Sequence, residues 1–208
     1  MTTQIVREPR WPAFIAMLAD ALVYLAMPPR LSVGPDWLLL AIIFLLLIPI
    51  VSSYHLGRYD VTRTLTFVAN AVITAALITS LALLISGLPQ HRDPPGTLLR
   101  SAIALWITNV LVFALWYWKL DAGGPSRRER RDGATRSSFL FPQMLRDPDS
   151  SWSPHFVDYL FLAFNTSTAF SPTDTAVLSR GAKLGMMLQA TISLIIVVLL
   201  AARAVGIL

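Results

Sequence analysis

FVDYLFLAFNTSTAF at Phe156–Phe170, SPTDTAVLSR at Ser171–Arg180 and GAKLGMMLQATISLIIVVLLAARAV at Gly181–Val205 are the pieces on which the fold turns. The first has 15 residues and carries Asp158, Asn165, Thr166, Ser167 and Thr168, whereas a helix needs roughly 20 mostly apolar residues to cross a bilayer. Its length predicts a segment that enters the membrane and turns back. Irregular backbone persists at that depth only where protein buries it or water bathes it. A half-helix, a polar turn and a full span in succession therefore predict the wall of a cavity or pore.

The rest of the chain supplies a membrane context. Hydrophobic residues make up 55% of the 208 and charged residues only 14%, with a mean hydropathy of +0.60, which is too apolar over too-long runs for a water-soluble domain. The expectation is an all-α, polytopic helical membrane protein. Its predicted spans are Trp11–Pro28, Trp37–Tyr54, Thr64–Gly87, Leu98–Trp118 and Gly181–Val205, with the re-entrant piece before the last. This divides the chain into a four-helix region, 1–120, an Arg/Gly/Pro-rich loop, 121–154, and a hairpin with its final helix, 155–208. Basic residues precede the first apolar run as in a signal peptide, but Asp20 interrupts that run and no small-residue cleavage site follows, so the segment is read as retained. The chain has no cysteine, which excludes disulfides and thiolate chemistry. The net charge of +5 resides mostly in loops beside spans, which predicts contact with anionic headgroups of the lipid bilayer rather than nucleic acid.

Polar residues inside the spans are the next candidates. Asp20 lies near the middle of the first span, where an acid costs several kcal/mol unless paired or protonated. Pro49 predicts a kink in a second span that is otherwise nearly pure hydrocarbon. Thr66, Asn70 and Thr74 fall four residues apart, on one helical face. Asn109 sits mid-span among Trp106, Phe113 and Trp116; such amides and hydroxyls commonly bond between helices, at about 0.6 to 2 kcal/mol each, with lining a pore as the alternative role, and Gln189 is a further intramembrane polar residue in the last span. Trp116, Tyr117, Trp118 and Lys119 read as an interfacial aromatic belt with a snorkelling lysine, and FLFPQM at Phe139–Met144 as a contact with the membrane surface. His55, His91 and His155 occupy separate loops with no metal-ligand spacing, so neither a metal site nor a cofactor is expected. A nucleophile with a base and an orienting group is likewise absent from the pattern, and the chain reads as no enzyme.

The turn admits two readings. Ser171 as N-cap, Pro172 at the first helical position and Asp174 three residues on make a variant capping box. Alternatively, a short helix aimed into the membrane points its carbonyl end, carrying about half a negative charge, at the bilayer centre. Backbone carbonyls and the Thr168, Ser171 and Thr173 hydroxyls then face a cation, with Asp174 at the mouth. TSTAFSPTD, followed by Arg180, Lys183 and a long helix, resembles the pore helix, filter and inner helix of pore-loop cation channels. Setting Asp174 on the aspartate that ends their TVGYGD signature gives Ala169, Phe170, Ser171, Pro172 and Thr173 the filter places. Ser171 and Thr173 then stand where the filter has glycine and Pro172 where it has tyrosine, so potassium selectivity does not carry over. The resemblance implies a monovalent cation, and a ring built from one hairpin per chain implies a homo-oligomer, a tetramer in such a pore. PRWPA at Pro9–Ala13, FALWYWKLDAGGP at Phe113–Pro125, FLFPQM and FVDYLFLAFNTSTAFSPTDTAVLSRGAKL at Phe156–Leu184 also resemble an uncharacterised family of small bacterial inner-membrane proteins. That resemblance implies a fold and an inner (plasma) membrane location, and no activity.

Charge placement bears on orientation. With five crossings and a returning hairpin, 13 of the 17 basic residues fall on the N-terminal side, and only Arg30, Arg92, Arg100 and Arg203 on the other. The positive-inside rule assigns the richer side to the cytoplasm, so the hairpin is expected to enter from there, inverted relative to ordinary potassium channels. The leading expectation is a cation-conducting pore through 168–174. The alternatives are a proton-linked transporter using Asp20 and Asp158, and a noncatalytic scaffold subunit whose Arg127–Arg131 stretch binds lipid or a partner.

Overall fold

The computed structural model describes residues 9–32, 34–87, 94–125, 128, 137–146, 152–169 and 174–204. Its helices are α1 (Trp11–Leu25), α2 (Leu38–His55), α3 (Tyr59–Gly87), α4 (Pro95–Leu120), α5 (Pro142–Arg146), α6 (Phe156–Thr168) and α7 (Arg180–Ala204); two short strands are β1 (Phe139–Leu140) and β2 (Ala176–Val177). Among the described residues, four helical segments are long and apolar enough to cross a membrane: Leu38–His55, Tyr59–Gly87, Gly96–Gly123 and Arg180–Ala202. Together they make a multi-pass helical membrane protein. The expected first span is shorter than its sequence predicted. α1 stops after 15 residues, a rise of about 22 Å at 1.5 Å per residue, because Pro28 and Pro29 follow and have no N–H to continue the helix.

The other turns have equally local causes. Between α2 and α3, Gly57 takes a φ of +69°. Its N–H donates to the Tyr54 carbonyl at 3.1 Å and the Arg58 N–H to the Ser53 carbonyl at 2.9 Å, a Schellman closure. Ser53 and Thr62 then join their hydroxyls at 2.8 Å across the resulting corner. At the opposite end, Ser80 of α3 donates to the Leu31 carbonyl at 2.6 Å.

Successive long helices thus run up and down. The Arg10 guanidinium lies 4.3 Å from the Tyr54 ring centre, which sets the start of α1 beside the end of α2. Phe67 of α3 meets Trp116 of α4 edge-on at 5.5 Å. α4 packs against α1, α3, α6 and α7, and is the central element.

Two expectations about surfaces are corrected here. Tyr117 is 1% and Trp118 2% exposed; these two face protein because α4 is enclosed on several sides, and Lys119 keeps only 7% of its surface exposed. FLFPQM does not lie on the membrane surface as a whole. Phe139 and Phe141 are buried, with Phe139 5.3 Å from Tyr117 and Phe141 5.4 Å from Tyr159 between ring centres. Edge-to-face pairs of this kind add about 0.5 to 1.5 kcal/mol beyond the area they cover.

Candidate functional site

α6 descends along α4 and ends near its middle. At its start, Phe156 stands edge-on to Trp118 at 6.0 Å and the Tyr159 hydroxyl donates to Asp121 Oδ2 at 2.6 Å. Near its end, Phe164 meets Trp106 at 5.7 Å, and Ser167 Oγ lies 3.5 Å from Asn109 Nδ2. The 13 residues of α6 rise about 20 Å, two thirds of a hydrocarbon core of about 30 Å. The chain then comes back. β2 pairs antiparallel with β1, Phe139 opposite Val177 and Leu140 opposite Ala176, and the Leu178 N–H donates to the Ser138 carbonyl at 2.8 Å.

Asp121, at the end of α4, fixes the upper rim, and its side chain is fully buried. Oδ1 accepts from the Ser137 hydroxyl at 2.8 Å and from the Ser138 and Phe139 N–H groups, while Oδ2 takes the Tyr159 hydroxyl. One carboxylate thereby joins α4, β1 and α6. Arg128 closes the helix end, donating through Nη1 to the carbonyls of Trp118 at 2.8 Å and Asp121 at 2.9 Å. In the sequence, Asp121 looks like the first residue of a solvated loop; only the Gly-Gly pair two residues on, Gly123 and Gly124, hints at a built turn.

Gln189 of α7 fixes the lower end, and it too is fully buried. Its Nε2 donates to the Ala163 carbonyl and to Ser167 Oγ, both at 2.8 Å, and its Oε1 accepts from the Tyr117 hydroxyl. Asn109 donates to Ser193 Oγ at 2.9 Å and to the Gln189 carbonyl at 3.2 Å. Gln189 and Ser193 are four apart and share the face of α7 turned to α4 and α6. For Asn109 this is the interhelical bonding expected from sequence, with Ser193 and the Gln189 carbonyl as partners.

The other predicted site residues fall into distinct environments. Thr166 is buried and donates back to the Leu162 carbonyl at 2.8 Å. Thr168 is exposed, its hydroxyl 3.0 Å from the Phe164 carbonyl, and Ala169, also exposed, caps the helix through the Asn165 carbonyl. Asp174 is exposed; Phe170, Ser171, Pro172 and Thr173 lie outside the described residues. Asp158 belongs to a capping box, accepting the His155 N–H at 2.7 Å, so it marks the helix start rather than a mid-span acid. α7 begins only at Arg180, with Ser179 Oγ accepting the Ala182 N–H at 3.2 Å, well past the Ser171–Asp174 cap considered from sequence.

A further group of polar side chains lies at mid-depth. Both carboxyl oxygens of Asp20, both amide atoms of Asn70, the Thr108 hydroxyl and Asn165 Nδ2 are buried with no hydrogen-bond partner among the described residues. Helical rise puts Asp20 about 15 Å inward of Arg10, Asn70 about 12 Å inward of Thr62 and Thr108 about 16 Å inward of Lys119, so the first three share a level of the bundle. Thr108 escapes notice in the sequence because a lone threonine in an apolar run usually bonds its own helix. Among the described residues, no group of His, Asp or Glu is arranged to hold a metal ion. No protein-family model, curated protein or solved structure matches the chain.

Proposed function

We propose that the protein is an oligomeric membrane pore that passes cations through the turn at 168–174, with α6 as a re-entrant helix. The reading rests on one observation: α6 stops near the middle of α4, and β2 lies against β1 at the end where α6 began. The carbonyl end of α6 then carries its partial negative charge at mid-depth. Thr168 and Asp174, both exposed, supply a hydroxyl and a carboxylate on the same stretch, and oxygen-lined constrictions of that kind replace the hydration shell of a cation. One hairpin per chain makes a closed ring only in an oligomer, four copies by the pore-loop resemblance. α1 serves as a fifth, short crossing, and the end bearing Arg10, Arg58, Arg63 and Lys119 faces the cytoplasm of an inner membrane. Purified protein in planar bilayers is expected to carry cation currents that Asp174→Ala or Thr168→Ala alters. A well-folded, electrically silent oligomer overturns the reading.

A second reading, proton-linked transport, draws on Asp20, whose carboxyl oxygens are buried without hydrogen-bond partners among the described residues. Asp158 drops out of it, since its carboxylate is engaged in a helix cap. This reading expects pH-dependent solute uptake into proteoliposomes that Asp20→Asn abolishes; uptake that is unaffected by the substitution removes it.

A further inference from the structure

At the end of the bundle that carries most of its positive charge, an apolar pocket of about 210 Å³ opens between α3, α4, β1 and α7. Trp116, Tyr117, Phe139 and Gly185 form its walls together with Thr74. The polar groups on these walls are already engaged. Thr74 Oγ1 donates to the Asn70 carbonyl at 2.7 Å and accepts from Trp116 Nε1 at 2.9 Å, and the Tyr117 hydroxyl is taken by Gln189. A polar solute entering here would lose its water and gain no hydrogen bond. The lining suits hydrocarbon.

Next to the pocket lie cations. Trp116 stacks edge-on against Phe67, and the Arg63 guanidinium lies 5.6 Å from the centre of that same Phe67 ring. Lys119 is one turn beyond Trp116 on α4, its side chain nine-tenths buried and its ammonium 5.4 Å from the Trp118 ring centre. Among the described residues, besides its burial, the charged groups acting on that ammonium are the cations Arg10, Arg128 and Arg63. Arg10 is held against Tyr54, and Arg128 by two backbone carbonyls. A buried ammonium among like charges is unfavourable unless an anion joins it. Lysine at a membrane boundary ordinarily extends well into water; this one keeps only 7% of its surface exposed.

An anion above and hydrocarbon below describe a single ligand chemistry. We propose that this corner is a binding site for one anionic phospholipid, with its phosphate between Lys119 and Arg63 and part of an acyl chain in the Trp116–Gly185 pocket. The site is separate from the turn at 168–174 and stands whether or not that turn conducts.

The test is retention of phosphatidylglycerol by the detergent-purified full chain, read by native mass spectrometry after washing, together with the shift in melting temperature on adding lipid. Phosphatidylglycerol is expected to remain bound and to raise the melting temperature, with phosphatidylcholine and inorganic phosphate giving much smaller shifts. Lys119→Met and Arg63→Gln are each expected to weaken retention about tenfold. Gly185→Leu is expected to do the same from the other side: a Cβ there sits 3.6 Å from Tyr117 Cε1, an ordinary contact, and the added side chain fills the pocket without touching a charge. Lys119→Met relieves repulsion, so the lipid-free variant should melt no lower than the parent; this separates loss of binding from loss of fold. Equal stabilisation by inorganic phosphate makes this a free-anion site, and equal stabilisation by phosphatidylcholine makes it a chain-only site. Either result overturns the assignment, as does unchanged retention in Lys119→Met and Gly185→Leu.

Discussion

Replacing Asp121 with alanine should detach the α6 hairpin from α4. The carboxylate accepts from the Ser138 and Phe139 N–H groups and from the Tyr159 hydroxyl, all buried. Each donor stranded without an acceptor costs about 1 to 3 kcal/mol. Because Ser137 has a second acceptor in the Phe139 carbonyl, three stranded donors set the loss at about 3 to 6 kcal/mol once partial rearrangement is allowed. For a chain of this size that is about 6 to 24 °C in melting temperature. Asp121→Asn keeps one acceptor oxygen and should fall about halfway. Tyr159→Phe removes one bond and should cost about 1 to 2 kcal/mol, with strong coupling to Asp121→Asn in a double-mutant cycle. Two assays apply: thermal unfolding in micelles, and oxidative cross-linking of Leu140→Cys with Ala176→Cys, a pair placed opposite each other on β1 and β2. The chain has no native cysteine to interfere. If Asp121→Ala melts within a degree or two of the parent and cross-links as efficiently, the carboxylate does not hold the hairpin.

Sidedness labelling of Ser153→Cys and Ala176→Cys, both exposed positions flanking α6, should modify the two from the same face of the membrane; labelling from opposite faces makes α6 a crossing and removes the pore proposal. Gln189→Leu strands the Tyr117 hydroxyl and releases Ala163 and Ser167, with an expected cost of about 2 to 4 kcal/mol, whereas Thr191→Leu on the exposed face of α7 should be near neutral; equal melting temperatures for the two refute the cross-link. Gly57→Ala meets no atom within 4 Å, so its whole effect is the left-handed backbone, about 1 to 2 kcal/mol, and an unchanged melting temperature would show that the α2–α3 turn relaxes.

Helical class and the long apolar spans were legible because hydropathy over about 20 residues is a local property. The brevity of the piece at Phe156 was legible for the same reason, since Asn165, Thr166, Ser167 and Thr168 stop the apolar run. What depended on distant partners was not. Asp121 reads as a loop acid because the groups it serves come from Ser137–Phe139 and Tyr159. Lys119 after Trp-Tyr-Trp has the local pattern of an interfacial anchor, and only the packing around α4 turns it inward. Phe139 and Phe141 look like surface hydrophobics until Tyr117, Tyr159 and Trp152 close around them. Gln189 was visible as a polar residue in a span, but its bonds to Ala163 and Ser167 follow from where α6 ends. The level shared by Asp20, Asn70 and Thr108 needs the register of three helices, which no single stretch of sequence contains.

α6 is held at two heights, by a carboxylate above and an amide below. Sliding of such a rod along its axis would stretch both attachments together, the Asp121–Tyr159 joint above and the bonds to its lower tip below. The grip on that tip is Gln189, which belongs to α7. A rotation or axial shift of α7 would therefore pass directly to Ala163 and Ser167, and so to the end of α6.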